Sequence, residues 1–155
     1  MKTARVSCVL LLVALLAAEG GRSKCIFRIH AEANPQDTEV FSTAVKAKLS
    51  GKDVAIEKIP RISENDVVSF LPYPVSQGNY GALFQLDEHG RLALDTLSIE
   101  RNGGLLFVLI NGRAITELRI DKRVSDGQIY IPSGLTEADI KLMKKSWHLT
   151  KELQH

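Results

Sequence analysis

The chain has 155 residues, and its 20 lysines and arginines against 18 aspartates and glutamates give a formal net charge of +2. A near-neutral surface of mixed charge lacks the basic footprint of nucleic-acid-binding proteins, so we expect no nucleic-acid partner. The length is that of one domain rather than several.

The first 20 residues have the pattern of a signal peptide. Lys2 and Arg5 form a short basic start, and residues 6–18 are a mainly apolar run that is short for a membrane span. Small residues near Gly20 predict cleavage there, which leaves a mature chain without a membrane span that a bacterium exports to the periplasm or the medium. The alternative is an N-terminal membrane anchor that is not cleaved.

Cysteine usage agrees with export of a domain that a packed core stabilises. Cys8 lies in the signal segment, so Cys25 is alone in the mature chain and has no partner for an internal disulfide. Lipid attachment at Cys25 is an alternative, but residues 22–24 lack the small, apolar character of such a site. A buried thiol is the simpler interpretation.

The first predicted strand covers residues 25–33, where apolar and polar side chains alternate and place His30 on the solvent face. A second, weaker strand follows at residues 39–46, and a third at residues 54–59. A turn separates them, and Pro60 ends the third.

The middle of the chain combines a short helical turn with extended segments. Ser63 and Asp66 have the spacing of a capping box, which predicts one helical turn. Residues 67–73 are predicted to be extended, and residues 80–86 alternate as a strand. The inward side chains of that strand are Tyr80, Ala82, Phe84 and Leu86.

A helix and a hairpin come next. Asp87 is predicted to cap a helix over residues 88–99. Residues 105–110 are all apolar and precede Asn111 and Gly112, a dipeptide that favours a type I′ turn because both central residues need positive φ. Residues 113–120 form the alternating return strand, so Asn111 and Gly112 are the predicted structural turn.

The last elements are a short strand and a helix. Residues 128–131 are predicted as a strand that Pro132 closes, and Thr136 is predicted to cap the second main helix through a capping box with Asp139. The predicted buried face of this helix contains Ile140, Met143 and Trp147. Residues 148–155 are predicted to be a flexible C-terminal tail.

Strands dominate, and each of the two helices has one apolar face. This pattern predicts an α+β fold, a two-layer sandwich in which two main helices cover one face of a mostly antiparallel sheet. We assign residues 21–147 to a single domain of this kind.

From residue 80 onward the order of motifs resembles one known family. The motifs are G-A-L-F-Q-L-D-E-H-G-R, L-D-T-L-S, G-G-L-L-F-V-L-I-N-G-R and D-G-Q-I-Y-I-P-S-G-L-T. They resemble the head subdomain of the first periplasmic loop of the SecD protein-export subunit, over roughly residues 55–147. SecD has membrane helices that couple proton flow to export, so a lone head would not be a motor. The resemblance implies a module that handles or docks polypeptide outside the cytoplasm.

Residue types with catalytic potential do not form a recognisable site in the sequence. The histidines at positions 30 and 89 lack a second ligand residue at helical spacing, and those at positions 148 and 155, which have Glu152 at such a spacing, lie in the predicted flexible tail. Asp87, Glu88, Asp121 and Asp126 occur where capping and turns explain them. Ser133 and Gly134 lack the surrounding pattern of a serine hydrolase. We therefore expect no enzyme activity, no cofactor and no metal.

Binding of protein or extended polypeptide is the main hypothesis. Tyr73, Tyr80 and Tyr130 offer amphipathic contact area, and an open sheet edge accepts an extended peptide. The alternative for these tyrosines is that they cover the core or the sheet. Two other functions stay open: a structural or inhibitory module that binds one folded envelope protein, and a small hydrolase with an unrecognised site.

Overall fold

The computed structural model describes residues 24–150, and the predicted signal segment, residues 1–20, lies outside this range. The strands are β1 (Phe27–Ala31), β2 (Ser42–Lys46), β3 (Asp53–Glu57), β4 (Ile62–Ser63), β5 (Val67–Ser76), β6 (Asn79–Leu86), β7 (Leu105–Ile110), β8 (Arg113–Arg119), β9 (Gln128–Leu135) and β10 (His148–Leu149). The helices are α1 (Glu88–Glu100) and α2 (Glu137–Ser146), and Glu64–Asp66 form one 3₁₀ turn.

The strands form two four-stranded sheets and a separate hairpin. The first sheet has the order β4-β1-β7-β8, the second has the order β10-β5-β6-β9, and β2 pairs with β3. Every pairing between these strands is antiparallel except that of β10 with β5. The predicted α+β sandwich with mostly antiparallel pairing is confirmed, and the structure shows how its strands divide.

One apolar core joins the inner faces of both sheets and the two helices. Its aromatic centre consists of Phe27, Phe70 and Phe84, and the indole of Trp147 lies edge-on to all three, at ring-centroid distances of 6.0–6.2 Å. The indole N–H donates to the carbonyl of Glu64 at 3.2 Å, which satisfies the polar group of a mostly apolar ring. α2 adds Ile140 and Met143, as its pattern predicts.

The second face of the first sheet is also covered, and this corrects the prediction for His30. Ala47 and Ile56 of the β2–β3 hairpin pack on Phe107 of β7. Residue His30, predicted to face solvent, is therefore buried at 6% exposure, and its Nδ1 lies 2.8 Å from the carbonyl oxygen of Glu57. The alternation in β1 does not distinguish solvent from a second covering layer.

A buried carboxylate holds the tip of that hairpin against the first sheet. The carboxylate of Glu117 on β8 accepts hydrogen bonds from the backbone N–H groups of Lys48 and Leu49. Because Glu117 is only 9% exposed, these bonds replace the water that its charge would otherwise need.

Two predicted boundaries near the C-terminus need correction. β9 continues past Pro132 to Leu135. The first residues of the predicted flexible tail are ordered, since β10 pairs with β5 and the N–H of Thr150 donates to the carbonyl of Phe70 at 2.9 Å. Residues 151–155 lie outside the described part of the chain.

Candidate polypeptide-docking groove

Among the described residues, the edges of the two sheets differ in length. β4 and β10 have two residues each, whereas the opposite edges are β8 with seven residues and β9 with eight. A long edge strand leaves a row of unpaired backbone groups that another chain is able to pair with. β8 and β9 are therefore the two edges with most capacity for an added strand.

The hydrogen bonds of β9 show which of its residues face outward. Leu86 donates its N–H to the carbonyl of Gly127 at 2.9 Å, so Gly127 faces β6 and the backbone groups alternate from there. The backbone groups of Tyr130 and Pro132 consequently point away from β6. Pro132 sits where no N–H is needed, which explains why it does not end the strand. Tyr130 presents its N–H and carbonyl at the open edge.

The same alternation applies to β8. Ile120 donates its N–H to the carbonyl of Gly104 at 3.0 Å, so the backbone groups of Ile120 point toward β7. Those of its neighbour Arg119 therefore point outward. Outside the paired sheets, no backbone hydrogen bond within residues 24–150 joins β8 to β9.

The two edge strands approach at one end and separate at the other. At Gly134 of β9, a Cβ atom would lie 3.1 Å from the carbonyl oxygen of Ile115 on β8, and its φ of 102° also favours glycine. At the other end, residues 118–122 and 128–130 both line an open cavity of about 440 Å³. We call this cavity the β8–β9 groove.

The groove has an apolar interior and a charged mouth. The apolar side chains that line it include Leu94, Leu106, Leu118, Ile120, Ile129 and Tyr130. The charged residues that line it are Arg119, Asp121, Lys122 and Asp126, two of each sign. Without a net charge among these residues, the groove favours apolar contact over attraction of one charge sign.

The outer edge of β5 lacks this capacity. The carbonyl of Phe70 accepts the N–H of Thr150, so the backbone groups of Phe70 point away from β6. The backbone groups of Pro72 and Pro74, two and four residues later, point the same way. Prolines have no N–H to donate, so this edge offers carbonyls alone beyond the short β10. Among the described residues, the edges of β8 and β9 that border the groove are therefore better suited to strand pairing than the outer edge of β5.

The three predicted contact tyrosines do not lie together. Tyr73 and Tyr130 stack on the outer face of the second sheet, with centroids 5.6 Å apart and planes inclined by 11°. Tyr80 lies on the opposite face, where it packs against the core. Of the three, Tyr130 combines exposure, at 57%, with a position in the groove wall.

Tyr73 has a structural role in holding β9. Its hydroxyl donates to the carbonyl of Ile131 at 2.6 Å, next to the irregularity where Gly81 of β6 faces residues 132–134 of β9. The ring crosses over Gly81, and burial raises the pKa of the Tyr73 hydroxyl.

The predicted turn residues lie in the β7–β8 hairpin, and the predicted cap residues lie at the starts of α1 and α2. Asn111 and Gly112 have φ values of 50° and 79° between β7 and β8. Asp87 accepts the N–H of Gly90 at 2.8 Å at the start of α1. Thr136 and Asp139 form the capping box of α2. They shape the scaffold and lie outside the groove lining.

The structure also brings together three residues that sequence spacing does not connect. Asp66, Asp87 and His89 each offer a ligand atom within 4.8 Å of the others. Asp66 is already engaged, because it accepts hydrogen bonds from Ser63 and lies 2.6 Å from His89 Nδ1. Asp87 is engaged as the α1 cap. These contacts account for the cluster without a metal.

The ionisation of this cluster follows from its contacts. The hydrogen bond with Asp66 raises the pKa of His89. Burial disfavours the charge of Asp66, but hydrogen bonds from Ser63 and His89 outweigh it and lower the pKa of that carboxyl. At His30 burial has the largest effect and lowers the pKa, which favours a neutral ring.

Within residues 24–150, no helix is both long and apolar enough to span a bilayer. No protein-family model and no curated protein sequence matches the chain.

Solved SecDF structures match the fold. One, described as a membrane component SecDF that enhances protein export, aligns with a TM-score of 0.55 and 14% identity over 81% of this chain and 64% of the other. A second, SecDF in a super-membrane-facing form, aligns with a TM-score of 0.54 and 15% identity over 80% of this chain and 19% of the other. The chain thus spans less than two thirds of the first and about a fifth of the second, and its described residues have the SecD-like periplasmic head fold.

Proposed function

We propose that this chain is a non-catalytic, exported module that binds extended polypeptide in the β8–β9 groove. The observation that carries the proposal is an apolar groove bordered by two long, unpaired strand edges. The SecD-like fold supports it, because the matched SecDF is described as enhancing protein export. Both edges belong to the chain itself, so the module needs no further subunit to present them.

The chemistry of the groove fits an extended segment rather than a folded surface. A strand added to β9 pairs with the N–H and carbonyl of Tyr130, and backbone pairing of this kind is independent of sequence. Every second side chain of the added strand then points into the groove and contacts apolar residues such as Leu118 and Ile129. We therefore expect the groove to prefer polypeptide segments that carry little charge and have an apolar side chain at every second position.

Site-specific photo-crosslinking tests this proposal. A photoreactive phenylalanine analogue replaces Tyr130 in the groove wall or, as the control, Val75 on β5; the two positions are 57% and 50% exposed. We expect a permanently unfolded protein, such as a reduced and carboxymethylated one, to crosslink from position 130 and far less from position 75. Equal yields, or none with the fold intact, would contradict groove binding.

A second candidate function has its own observation. Val40, Phe41 and Ile59 are 70%, 66% and 78% exposed and line one cavity with Arg61 and Arg101. Contiguous exposed apolar side chains are typical of protein interfaces, which favours a structural or inhibitory module that binds one folded envelope protein. A single stoichiometric partner, recovered by wild type and lost in Phe41→Ser while unfolded protein still binds, would support it.

The non-catalytic part of the proposal has a separate test. His30 is the strongest candidate base by residue type, but it is buried and engaged with Glu57. A hydrolase screen of the chain is expected to give no turnover. Turnover that disappears in His30→Ala, with the melting temperature unchanged, would revive the hydrolase hypothesis.

A further inference from the structure

The start of the described chain, the β7–β8 turn and the end of α2 meet at one end of the molecule. The N–H of Cys25 donates to Ser146 Oγ at 2.9 Å. The N–H of Ile26 donates to Asn111 Oδ1 at 3.0 Å. Side chains from three distant parts of the sequence therefore share this end.

Positive charge predominates there. The five cationic residues of this end, which we call the basic face, are Lys24, Arg28, Arg113, Lys144 and Lys145. The carboxylates beside them are Glu64, 4.0 Å from Arg28, and Asp139, 2.5 Å from Arg113. Each carboxylate thus lies beside an arginine.

The three lysines of the basic face are left without such partners. In the part of the chain that the structure describes, no carboxylate lies within 4.0 Å of the amines of Lys24, Lys144 or Lys145. Lys144 and Lys145 lie in the last turn of α2, where the helix dipole favours cations, but Lys24 belongs to no helix. The charge of this face is more than helix capping requires.

The sequence next to Lys24 indicates what this face meets. In the uncleaved form of the chain, only residues 19–23 separate Lys24 from the mainly apolar run of residues 6–18. Five residues span at most about 18 Å, even when fully extended. Ile26, with 41% of its surface exposed, adds an apolar side chain beside the lysines. A lipid surface matches both the charge and the apolar neighbour, whereas an acidic protein matches the charge alone.

We propose that the basic face binds the anionic headgroups of a phospholipid bilayer and so orients the module on the membrane surface. Each lysine near such a surface contributes about 1 kcal/mol of attraction. The attraction acts within about 8 Å at physiological salt, so the lysines must lie close to the headgroups. The proposal is independent of the β8–β9 groove.

Vesicle co-sedimentation tests the proposal with the protein purified in the form it has after export. The measured quantity is the ratio of its partition coefficients on vesicles with phosphatidylglycerol and on purely zwitterionic vesicles. This ratio cancels any contribution of the apolar run, if that run is retained. The test variant changes Lys24, Lys144 and Lys145 to Gln. The control variant makes the same charge change on the β2–β3 hairpin, at the exposed residues Lys46, Lys48 and Lys52.

We expect the test variant to lower the ratio roughly 100-fold and the control variant to leave it within about threefold of wild type. Equal losses in both variants would mean that net charge alone governs binding, and would overturn the proposal. A ratio of partition coefficients near one for the wild type would also overturn the proposal. If the test variant loses binding to an acidic polypeptide but keeps the vesicle ratio, the face serves a protein partner instead.

Discussion

Replacing Gly81 with alanine tests the packing that holds β9 at the groove. A Cβ atom at Gly81 would lie 2.3 Å from Cζ and from the hydroxyl oxygen of Tyr73. The ring has little freedom to move, because its hydroxyl donates to Ile131 and its face stacks on Tyr130. Alanine at position 81 therefore displaces the whole Tyr73 side chain from the sheet.

The expected cost follows from two contributions. Overpacking of a fitted site costs about 1–3 kcal/mol, and loss of a partly buried hydrogen bond costs about 1 kcal/mol. We expect Gly81→Ala to lower the free energy of unfolding by about 2–3 kcal/mol, which corresponds to a fall in melting temperature of roughly 10 °C for a domain of this size. Urea unfolding followed by tryptophan fluorescence measures it through Trp147.

A double-mutant cycle supplies the control. In a Tyr73→Ala background the clash has no partner, so Gly81→Ala is expected to change stability by less than about 0.5 kcal/mol. The interpretation fails if alanine at 81 costs the same with and without Tyr73. It also fails if the single variant is as stable as wild type.

Three further predictions concern individual residues. Gly112→Val is expected to lower the free energy of unfolding by about 1–3 kcal/mol, because φ is 79° there; an unchanged melting temperature would contradict the type I′ turn. Asp66 raises the pKa of His89, so the stability advantage of wild type over His89→Gln is full below about pH 6 and lost as pH rises through that raised pKa. Urea titrations between pH 5 and 9 check it, and a pH-independent difference would exclude the ion pair. Burial raises the pKa of Cys25 to about 12, so in a Cys8→Ser background a disulfide reagent is expected to label the thiol only after unfolding, and rapid labelling of the folded protein would be the opposite result.

Local sequence signals accounted for much of the scaffold. The Asn111–Gly112 turn and the capping box at Thr136 depend on backbone conformations that a few neighbouring residues dictate. The α+β class followed from periodicity in the same way. The resemblance to the SecD head also depended on turns and caps, and the match to solved SecDF structures confirms the fold that it implied.

The layers and the groove required information that no local pattern contains. The burial of His30 depends on a hairpin folding over β1, and strand alternation looks the same under solvent or under a second layer. The groove depends on how far β8 and β9 separate after they meet at Gly134. The contact of His89 with Asp66 spans 23 positions in the sequence, so helical spacing rules could not find it.

Amide hydrogen exchange at Tyr130 tests the docking groove most directly. Its N–H faces the open edge of β9 and has no partner among the backbone bonds of the described residues, so we expect rapid exchange in the free protein. Adding a permanently unfolded protein is expected to slow exchange at Tyr130 at least tenfold, while the already paired N–H of Leu86 keeps its rate. If unfolded protein binds and the exchange rate at Tyr130 stays the same, the polypeptide does not pair with β9.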